Sequence, residues 1–306
     1  MTVLPPFLQK GDTIGICAPA RKVSKEDIAD CIIWLKSKGF KVLESENLYS
    51  EYNQFSGNDD QRAEDFQSMM DHSEVKAILS ARGGYGCVRF IDQLDFTNFK
   101  KSPKWLIGFS DLTVMHSHVH SHYNIATLHA TMAYGLTGER RDEESAEALI
   151  SLLMGKPMNY SINSDLINEE FTRIGKATGT LIGGNLSLFY SLSGTASDID
   201  TRGKILFIED LDEYLYHIDR MMMQLKRSGK LSELKGLIVG GMNDMRDNTI
   251  PFGKSAIEII AEAVEDYNYP VCFGFPAGHI PKNLPLILGS EITFEVSKET
   301  SKITSK

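Results

Sequence analysis

The fold of this chain is indicated by one stretch, Lys104-Trp105-Leu106-Ile107-Gly108-Phe109-Ser110-Asp111-Leu112-Thr113. An apolar run suited to a buried strand stops at Gly108, Ser110 follows at the turn, and a helical segment begins directly after it. This order places a hydroxyl beyond a strand's carboxyl end, beside the free N–H groups that open a helix. A serine nucleophile needs such exposure and such donors, but a serine at a helix start is also a common N-cap. The local sequence leaves both roles open, and Leu112 stands where the G-x-S-x-G elbow requires glycine.

Outward from this stretch, apolar runs alternate with amphipathic segments through the first half of the chain. The pattern predicts strands at 13–18, 41–43, 75–80 and 105–109, and helices at 24–39 and 59–70 with Ser24 as the first N-cap. Strands separated by helices of this length indicate parallel βαβ units in a layered α/β domain. Ligands of such domains bind beyond the carboxyl ends of the strands.

The pattern changes after residue 133. A charged helix is predicted at 139–154, followed by a polar connection, and from Gly175 strands are predicted at 204–209, 237–241, 271–275 and 291–296, with a helix through 218–226. We therefore predict an N-terminal α/β domain with a mostly parallel sheet at 1–155, a linker at 156–174 and a smaller C-terminal α/β domain at 175–306.

Composition narrows the class of protein. The chain has 306 residues and a formal net charge of -9, which argues against nucleic acid or an anionic membrane surface as a partner. The N-terminus shows no signal-peptide pattern, and no apolar run approaches the roughly 18–20 residues that span a bilayer. The four cysteines form no C-x-x-C pair, as is typical of reduced thiols. We expect a soluble, cytoplasmic protein.

A glycine-rich segment follows the strand predicted at 75–80: Ser80-Ala81-Arg82-Gly83-Gly84-Tyr85-Gly86. Its backbone N–H groups suit either a phosphate cradle or an oxyanion hole. Neither G-x-G-x-x-G nor a Walker pattern is present, so the oxyanion hole is favoured if Ser110 ends a neighbouring strand. Cys87 comes next, as a thiol nucleophile or, more often for such a residue, a buried structural cysteine.

Three further groups carry chemistry. His116, His118, His120 and His122 have metal-ligand spacing in pairs on a helix, but they lack the H-E-x-x-H pattern, and packed histidines are favoured over a metal site. Glu209 ends an apolar strand, where a carboxylate either orients an imidazole or belongs to a solvated acidic loop. His279 lies on a loop stiffened by prolines and glycine, which suits a general base but does not require one.

Five ordered motifs together resemble the LD-carboxypeptidase family of serine peptidases. Three strand ends carry Ser110, Glu209 and His279 in the order serine, acid, histidine. The other two motifs are Arg82-Gly83-Gly84-Tyr85-Gly86 and Gly183-Gly184-Asn185-Leu186-Ser187. The resemblance extends from residue 11 to about residue 289, nearly the whole chain.

The resemblance implies a triad of Ser110, Glu209 and His279, with the active site between two domains. It also implies an oxyanion hole formed by the backbone N–H groups of Asp111 and Gly84. Family members are metal-independent, need no cofactor, are cytoplasmic and commonly form homodimers. They release the terminal D-alanine from murein tetrapeptides during cell-wall recycling.

A carboxypeptidase must also hold the free carboxylate of the departing D-alanine, for which Arg82 and Arg220 are candidates, although Arg220 can instead pair with Asp219. One departure from the family pattern bears on specificity: His129-Ala130-Thr131-Met132 stands where many members have His-Gly-Pro-Met. The sequence does not distinguish a meso-diaminopimelate tetrapeptide from a lysine tetrapeptide.

Three alternatives accompany this interpretation. A relative with the same triad could hydrolyse an amide in a peptidyl- or aminoacyl-nucleotide antibiotic of the microcin C type and give self-immunity. A protein that kept the fold and lost catalysis could bind murein peptides. A metal hydrolase built on the histidine cluster is the third, and a chelator would distinguish it.

Overall fold

The computed structural model describes residues 2–163 and 171–305, which form two compact units. The first unit comprises the described residues up to Lys156 together with Pro281–Ile287. The second comprises the described residues between Pro157 and Ile280 together with those from Leu288 onward. The structure therefore differs from the predicted domain bounds in one respect: the segment Pro281–Ile287 belongs to the first unit and not to the second.

Strands and helices alternate along most of the chain, which ends in strands. The strands are β1 (Thr13–Cys17), β2 (Lys41–Glu44), β3 (Val75–Ser80), β4 (Trp105–Gly108), β5 (Thr127–His129), β6 (Asn159–Asn163), β7 (Gly175–Asn185), β8 (Ile205–Leu211), β9 (Gly236–Asn243), β10 (Val271–Phe273), β11 (Leu286–Leu288), β12 (Glu291–Val296) and β13 (Thr300–Ser305). The helices are α1 (Lys25–Ser37), α2 (Asp59–Asp71), α3 (Thr97–Lys101), α4 (Thr113–Tyr123), α5 (Glu143–Leu153), α6 (Leu186–Ser191), α7 (Leu215–Arg227) and α8 (Ala256–Ala263).

The first unit is built on a sheet with the strand order β11-β5-β4-β3-β1-β2. Strands β1 to β5 pair in parallel, as the alternation of strands and helices predicts. Strand β4 lies between β3 and β5, so the Ser110 turn and the glycine-rich segment follow neighbouring strands. Every residue of β4 is buried, which explains its continuous apolar sequence.

The second unit is built on a mixed sheet with the order β10-β9-β8-β7-β12-β13-β6. Strands β7 to β10 pair in parallel, whereas β12, β13 and β6 continue the sheet in antiparallel fashion. One core packs α7 and α8 against the parallel strands, and Met221 and Met222 are fully buried in it. The methionine-rich face of α7 is therefore core.

Two local differences from the predicted pattern have physical causes. Helix α5 begins at Glu143 rather than at 139, because Asp142 accepts the N–H of Ser145 at 2.9 Å as its N-cap. A 3₁₀ turn, Gly138–Arg140, precedes it.

Within the predicted linker, 159–163 is strand β6, which pairs with β13, while 164–170 lies outside the described residues. Polar edge strands such as β6 give little apolar signal.

Helix α1 shows the predicted start. Ser24 accepts the N–H of Asp27 at 3.2 Å, and the Asp27 carboxylate accepts the N–H of Ser24 at 2.9 Å. This reciprocal capping box satisfies two of the donors that a helix start leaves open. Across the described residues, no helix combines the length and apolar character that crossing a bilayer requires.

Candidate active site

Ser110 occupies a sharp turn between β4 and α4. Its backbone has a φ of 61°, a left-handed conformation that costs a non-glycine residue about 1–3 kcal/mol. A 3₁₀ turn, Ser110–Leu112, then leads into α4. A strained serine between strand and helix is the geometry of a nucleophile elbow, in this chain without the second glycine of G-x-S-x-G.

The hydroxyl of Ser110 is not used as a helix cap. Within the described part of the chain, no side chain caps either the 3₁₀ turn or α4, whose N-cap position is Leu112. The sequence left Ser110 as either a nucleophile or an N-cap. A capping hydroxyl would accept a hydrogen bond from a backbone N–H, and among the described residues that of Ser110 does not. The geometry favours the nucleophile.

The glycine-rich segment approaches Ser110 through Gly83. A Cβ atom at position 83 would lie 2.9 Å from the Ser110 Cβ and 3.0 Å from its Oγ. It would also lie 3.1 Å from the Cε of Met132, in the segment that departs from the family pattern. Only glycine fits at this position without displacing the serine. Gly84, the predicted oxyanion donor, follows with a φ of 118°, and its donor role stays a prediction.

Asp111 ties this segment to the Ser110 turn. Its carboxylate is completely buried and accepts the N–H of Cys87 at 2.7 Å. Burial raises the pKa of Asp111, while backbone donors at Cys87 and Gly86 act in the opposite direction. The side chain of Asp111 therefore fixes the end of the glycine-rich segment. Its backbone N–H, one residue from the hydroxyl, is the other predicted oxyanion donor.

Arg62 packs against the glycine-rich segment at Gly86. It is buried, forms an ion pair with Asp59, and donates to the carbonyl oxygen of Pro19 at 3.3 Å. A Cβ atom at Gly86 would collide with the guanidinium of Arg62. Sequence reasoning missed Arg62 because its position in a charged amphipathic helix is typical of solvent-exposed residues.

Cys87 lacks the properties of a nucleophile. Its side chain is fully buried, and burial together with the neighbouring Asp111 carboxyl raises the pKa of the thiol well above its usual value. A thiol nucleophile needs a lowered pKa, since the thiolate is the reactive form. Cys87 is thus a structural residue.

Of the four histidines of α4, His116 and His118 are buried, whereas His122 is exposed. His116 is buried, and its Nε2 lies 2.9 Å from the carbonyl oxygen of Gly108. Burial lowers the pKa of His116 to about 4. A neutral imidazole whose partner is a carbonyl must carry its proton on Nε2, so His116 donates to the last residue of β4. The rings of His118 and His122 lie 4.4 Å apart. Among the described residues, no three metal-ligating side chains are grouped for a metal ion.

The predicted acid and base are in direct contact in the second unit. The Nδ1 of His279 lies 2.7 Å from the Oε2 of Glu209, and the backbone N–H of His279 donates to the same oxygen at 3.1 Å. The Glu209 carboxyl is completely buried, and 16% of the His279 side chain is exposed. The carboxylate thus fixes the ring and its tautomer, because an imidazole nitrogen that faces a carboxylate oxygen carries the proton and donates it.

The backbone around Glu209 and His279 is shaped for this contact. A Cβ atom at Gly278 would lie 2.6 Å from the Glu209 Oε2, and the φ of Gly278 is 107°. The loop is fixed from the other side, because the Gly241 N–H donates to the Ala277 carbonyl oxygen at 2.9 Å. The pairing of β8 with β9 changes register between Ile208 and Asp210, beside Glu209. Such irregularities in strand pairing change the direction of nearby side chains and are common next to active sites.

Asp210 anchors the glycine–asparagine motif of the second unit. It accepts the Asn185 side-chain amide at 2.8 Å and the Ser187 N–H at 2.9 Å. Burial, reinforced by the charge of Glu209, raises the pKa of Asp210 to about 7. Glu209 and Asp210 are buried members of an acidic run, not part of a solvated loop. The sequence predicts a role for Glu209 and none for Asp210, because an acidic run looks the same in sequence whether it is solvated or buried.

The two candidate carboxylate-binding arginines differ. The Arg82 guanidinium carbon lies 4.1 Å from the centre of the Tyr134 ring, and Arg82 directly precedes Gly83. Arg220 is exposed on α7, with its guanidinium carbon 5.2 Å from the centre of the Tyr216 ring. Of the two, only Arg82 is adjacent in sequence to a residue in contact with Ser110.

The matches to known proteins agree with this architecture. Residues 14–130 match the LD-carboxypeptidase N-terminal domain, and residues 178–294 match the LD-carboxypeptidase C-terminal domain. A probable murein peptide carboxypeptidase of Bacillus subtilis is 33% identical, over 98% of this chain and 93% of its own length. The microcin C7 self-immunity protein MccF of Escherichia coli is 25% identical, over 98% of this chain and 95% of its own.

A solved structure extends the match to three dimensions. The crystal structure of muramoyltetrapeptide carboxypeptidase from Oxalobacter formigenes superposes with a TM-score of 0.85 at 25% identity, covering 96% of this chain and 99% of that one. Both domain matches, the Bacillus relative and the Oxalobacter structure point to one family. The chain belongs to the LD-carboxypeptidase family.

Proposed function

We propose that this protein is a serine-type LD-carboxypeptidase that releases the terminal D-alanine from murein tetrapeptides in cell-wall recycling. The observation that carries the proposal is the contact between the buried carboxylate of Glu209 and the Nδ1 of His279. In a serine triad, a carboxylate holds the imidazole that accepts the proton of the serine. Ser110 supplies that serine.

In the proposed mechanism, His279 Nε2 accepts the proton of the Ser110 hydroxyl as its oxygen attacks the carbonyl carbon at the L-centre of the diamino acid. The N–H groups of Asp111 and Gly84 stabilise the resulting oxyanion. His279 then gives the proton to the nitrogen of D-alanine, which leaves as the C–N bond breaks. A water molecule, deprotonated by His279, attacks the ester on Ser110. The C–O bond to Ser110 then breaks, His279 returns the proton to the serine oxygen, and the tripeptide is released. Glu209 stabilises the imidazolium in both halves of the cycle.

The substrate class rests on the relatives. The Bacillus subtilis relative is named for murein peptides and the Oxalobacter structure for muramoyltetrapeptide, which supports the murein substrate. By the same resemblance we propose a cytoplasmic homodimer that acts without a metal or a cofactor. The strong negative charge supports the proposal that nucleic acid and anionic membranes are not partners.

A second function is supported by the microcin C7 self-immunity protein, which matches nearly the whole chain. The same triad would then hydrolyse the amide of a peptidyl- or aminoacyl-nucleotide. A catalytically silent murein-peptide binder is the third possibility, and the contact between Glu209 and His279 argues against it.

The experiment compares purified wild-type protein and Ser110→Ala on three substrates: a meso-diaminopimelate tetrapeptide, a lysine tetrapeptide and a peptidyl-nucleotide sulfamoyl analogue. We expect the wild type to release D-alanine from a tetrapeptide, and Ser110→Ala to lose at least about 10³-fold in kcat while still binding the peptide. Faster hydrolysis of the nucleotide substrate would support the second function. Peptide binding without turnover by the wild type would support the third.

A further inference from the structure

Two arginines of the first unit share one tyrosine ring. The guanidinium carbon of Arg82 lies 4.1 Å from the centre of the Tyr134 ring, and that of Arg140 lies 3.8 Å from the same centre. Each distance corresponds to a close cation–π contact. We call Arg82, Tyr134 and Arg140 the arginine–tyrosine stack.

The stack is attached to the segment that contacts the serine. The Tyr134 N–H donates to the Ala81 carbonyl oxygen at 2.9 Å, which fixes the tyrosine beside the base of the glycine-rich segment. Arg82 follows Ala81, and Gly83 is in contact with Ser110. Arg82 is therefore bonded directly to the residue that borders Ser110, and both belong to the first unit.

The stack carries positive charge that the described residues do not neutralise. Within residues 2–163 and 171–305, neither Arg82 nor Arg140 has a carboxylate within ion-pair distance. Arg140 donates to the Asp27 backbone carbonyl oxygen at 3.1 Å, which is a neutral acceptor. The next residue, Arg141, does pair with Glu143. Two guanidinium groups near one ring repel each other, and an anion bound beside one of them offsets that repulsion.

We propose that the arginine–tyrosine stack binds the terminal carboxylate of the D-alanine residue that the enzyme releases. The inference rests on the proposed function. A guanidinium group matches a carboxylate through two parallel N–H···O bonds. In a tetrapeptide the D-alanine carboxylate is separated from the scissile nitrogen by one carbon atom, so it is the anionic group nearest the bond that Ser110 attacks. Arg82 is the direct ligand in this proposal, and Tyr134 holds it in place with Arg140.

The test compares a tetrapeptide ending in D-alanine with the same peptide ending in D-alaninamide, which lacks the charge. The tripeptide product is common to both and is measured by mass spectrometry. We expect the wild type to prefer the acid by about 10- to 100-fold in kcat/KM, as loss of a charged hydrogen bond implies. Arg82→Gln should reduce this preference to about two-fold or less, and Tyr134→Leu should reduce it in part.

Arg21→Gln is the matched control, because the Arg21 side chain also borders the glycine-rich segment, next to Gly84, and the substitution removes the same charge. We expect it to keep the wild-type preference. A preference retained by Arg82→Gln, or a wild type that cleaves both peptides equally, would overturn the inference and leave the proposed function intact. A wild type that cleaves neither peptide contradicts the proposed function, and the inference fails with it. A misfolded variant slows both reactions alike, so the ratio remains informative.

Discussion

Glycines carry much of the site at the scale of single residues, because they leave room for the reactive side chains. Gly83 leaves space for Ser110, and Gly278 leaves space for the Glu209 carboxylate. Glycine is favoured at position 278 for a second reason as well, because a backbone φ of 107° is strained for any residue with a side chain. A side chain at either glycine would therefore displace a residue of the candidate site.

Gly278→Ala should move the Glu209 carboxylate away from His279. The new methyl group would lie 2.6 Å from the Oε2 that accepts both His279 bonds, so one partner must shift. Misplacement of a catalytic group by about 1 Å costs on the order of 10²-fold, and we expect kcat/KM for D-alanine release to fall by that factor or more.

Gly253→Ala is the control for this change. Gly253 also has a positive φ, of 87°, but a Cβ atom there would meet no heavy atom of the described residues within 4 Å. It carries the same type of backbone strain, about 1 kcal/mol, and should leave kcat/KM close to wild type. If both variants lost activity equally, strain rather than displacement of Glu209 would be the cause.

The sequence predicts residues at strand ends better than residues defined by burial. Ser110, Glu209 and His279 could be named because each follows an apolar run. Asp210 could not, because an acidic run has the same composition whether it is solvated or, as in this protein, buried and bonded to Asn185. Arg62 was missed for the same reason: only the tertiary structure shows that it is buried.

At the scale of elements, the turn from β4 to α4 is the central feature, and His116 supports it from within the helix. Its Nε2–H donates to the Gly108 carbonyl oxygen at the strand's end. The apolar pattern predicted β1, β3 and β4 well, since buried parallel strands have continuous apolar sequences. It missed β5, which has three residues, and the polar edge strand β6. Such short or polar strands are defined by their pairing partners.

His116 should make the stability of the protein depend on pH. Burial lowers its pKa from 6.5 to about 4, so between these values the unfolded chain binds a proton that the folded protein does not. Its stabilising contribution is complete above pH 6.5 and is lost as the pH falls towards 4. We expect His116→Gln, whose amide can still donate to Gly108, to reduce the slope of unfolding free energy against pH by about 1.4 kcal/mol per pH unit in this window. Urea unfolding at several pH values measures it.

Val119→Ala separates titration from simple loss of packing. Val119 is fully buried on the same helix and does not titrate, so its truncation should lower stability equally at every pH. An unchanged slope in His116→Gln would mean that His116 titrates normally in the folded protein.

On the scale of the whole molecule, the chain divides its chemistry between two units. The serine, the glycine-rich segment and the arginine–tyrosine stack belong to the first, and Glu209 and His279 belong to the second. The sequence predicted this division because each unit has its own run of strands and helices. It could not predict that 281–287 packs with the first unit, since a short segment after His279 carries no signal of its partner.

Removal of metal ions should leave the reaction unaffected, because the proposed mechanism moves its proton with His279 and holds its oxyanion with backbone N–H groups. We expect D-alanine release to keep its rate after dialysis against EDTA. Loss of activity that zinc restores would instead favour a metal hydrolase.

Covalent acylation of Ser110 during peptide hydrolysis is the step on which the proposed mechanism depends most. The most direct measurement mixes enzyme with a murein tetrapeptide, quenches the reaction with acid before the steady state, and maps the adduct by tandem mass spectrometry. We expect a tripeptidyl ester on Ser110 and no adduct in Ser110→Ala. A tripeptidyl adduct on another residue such as Cys87, or tetrapeptide hydrolysis by Ser110→Ala at the wild-type rate, would contradict this mechanism.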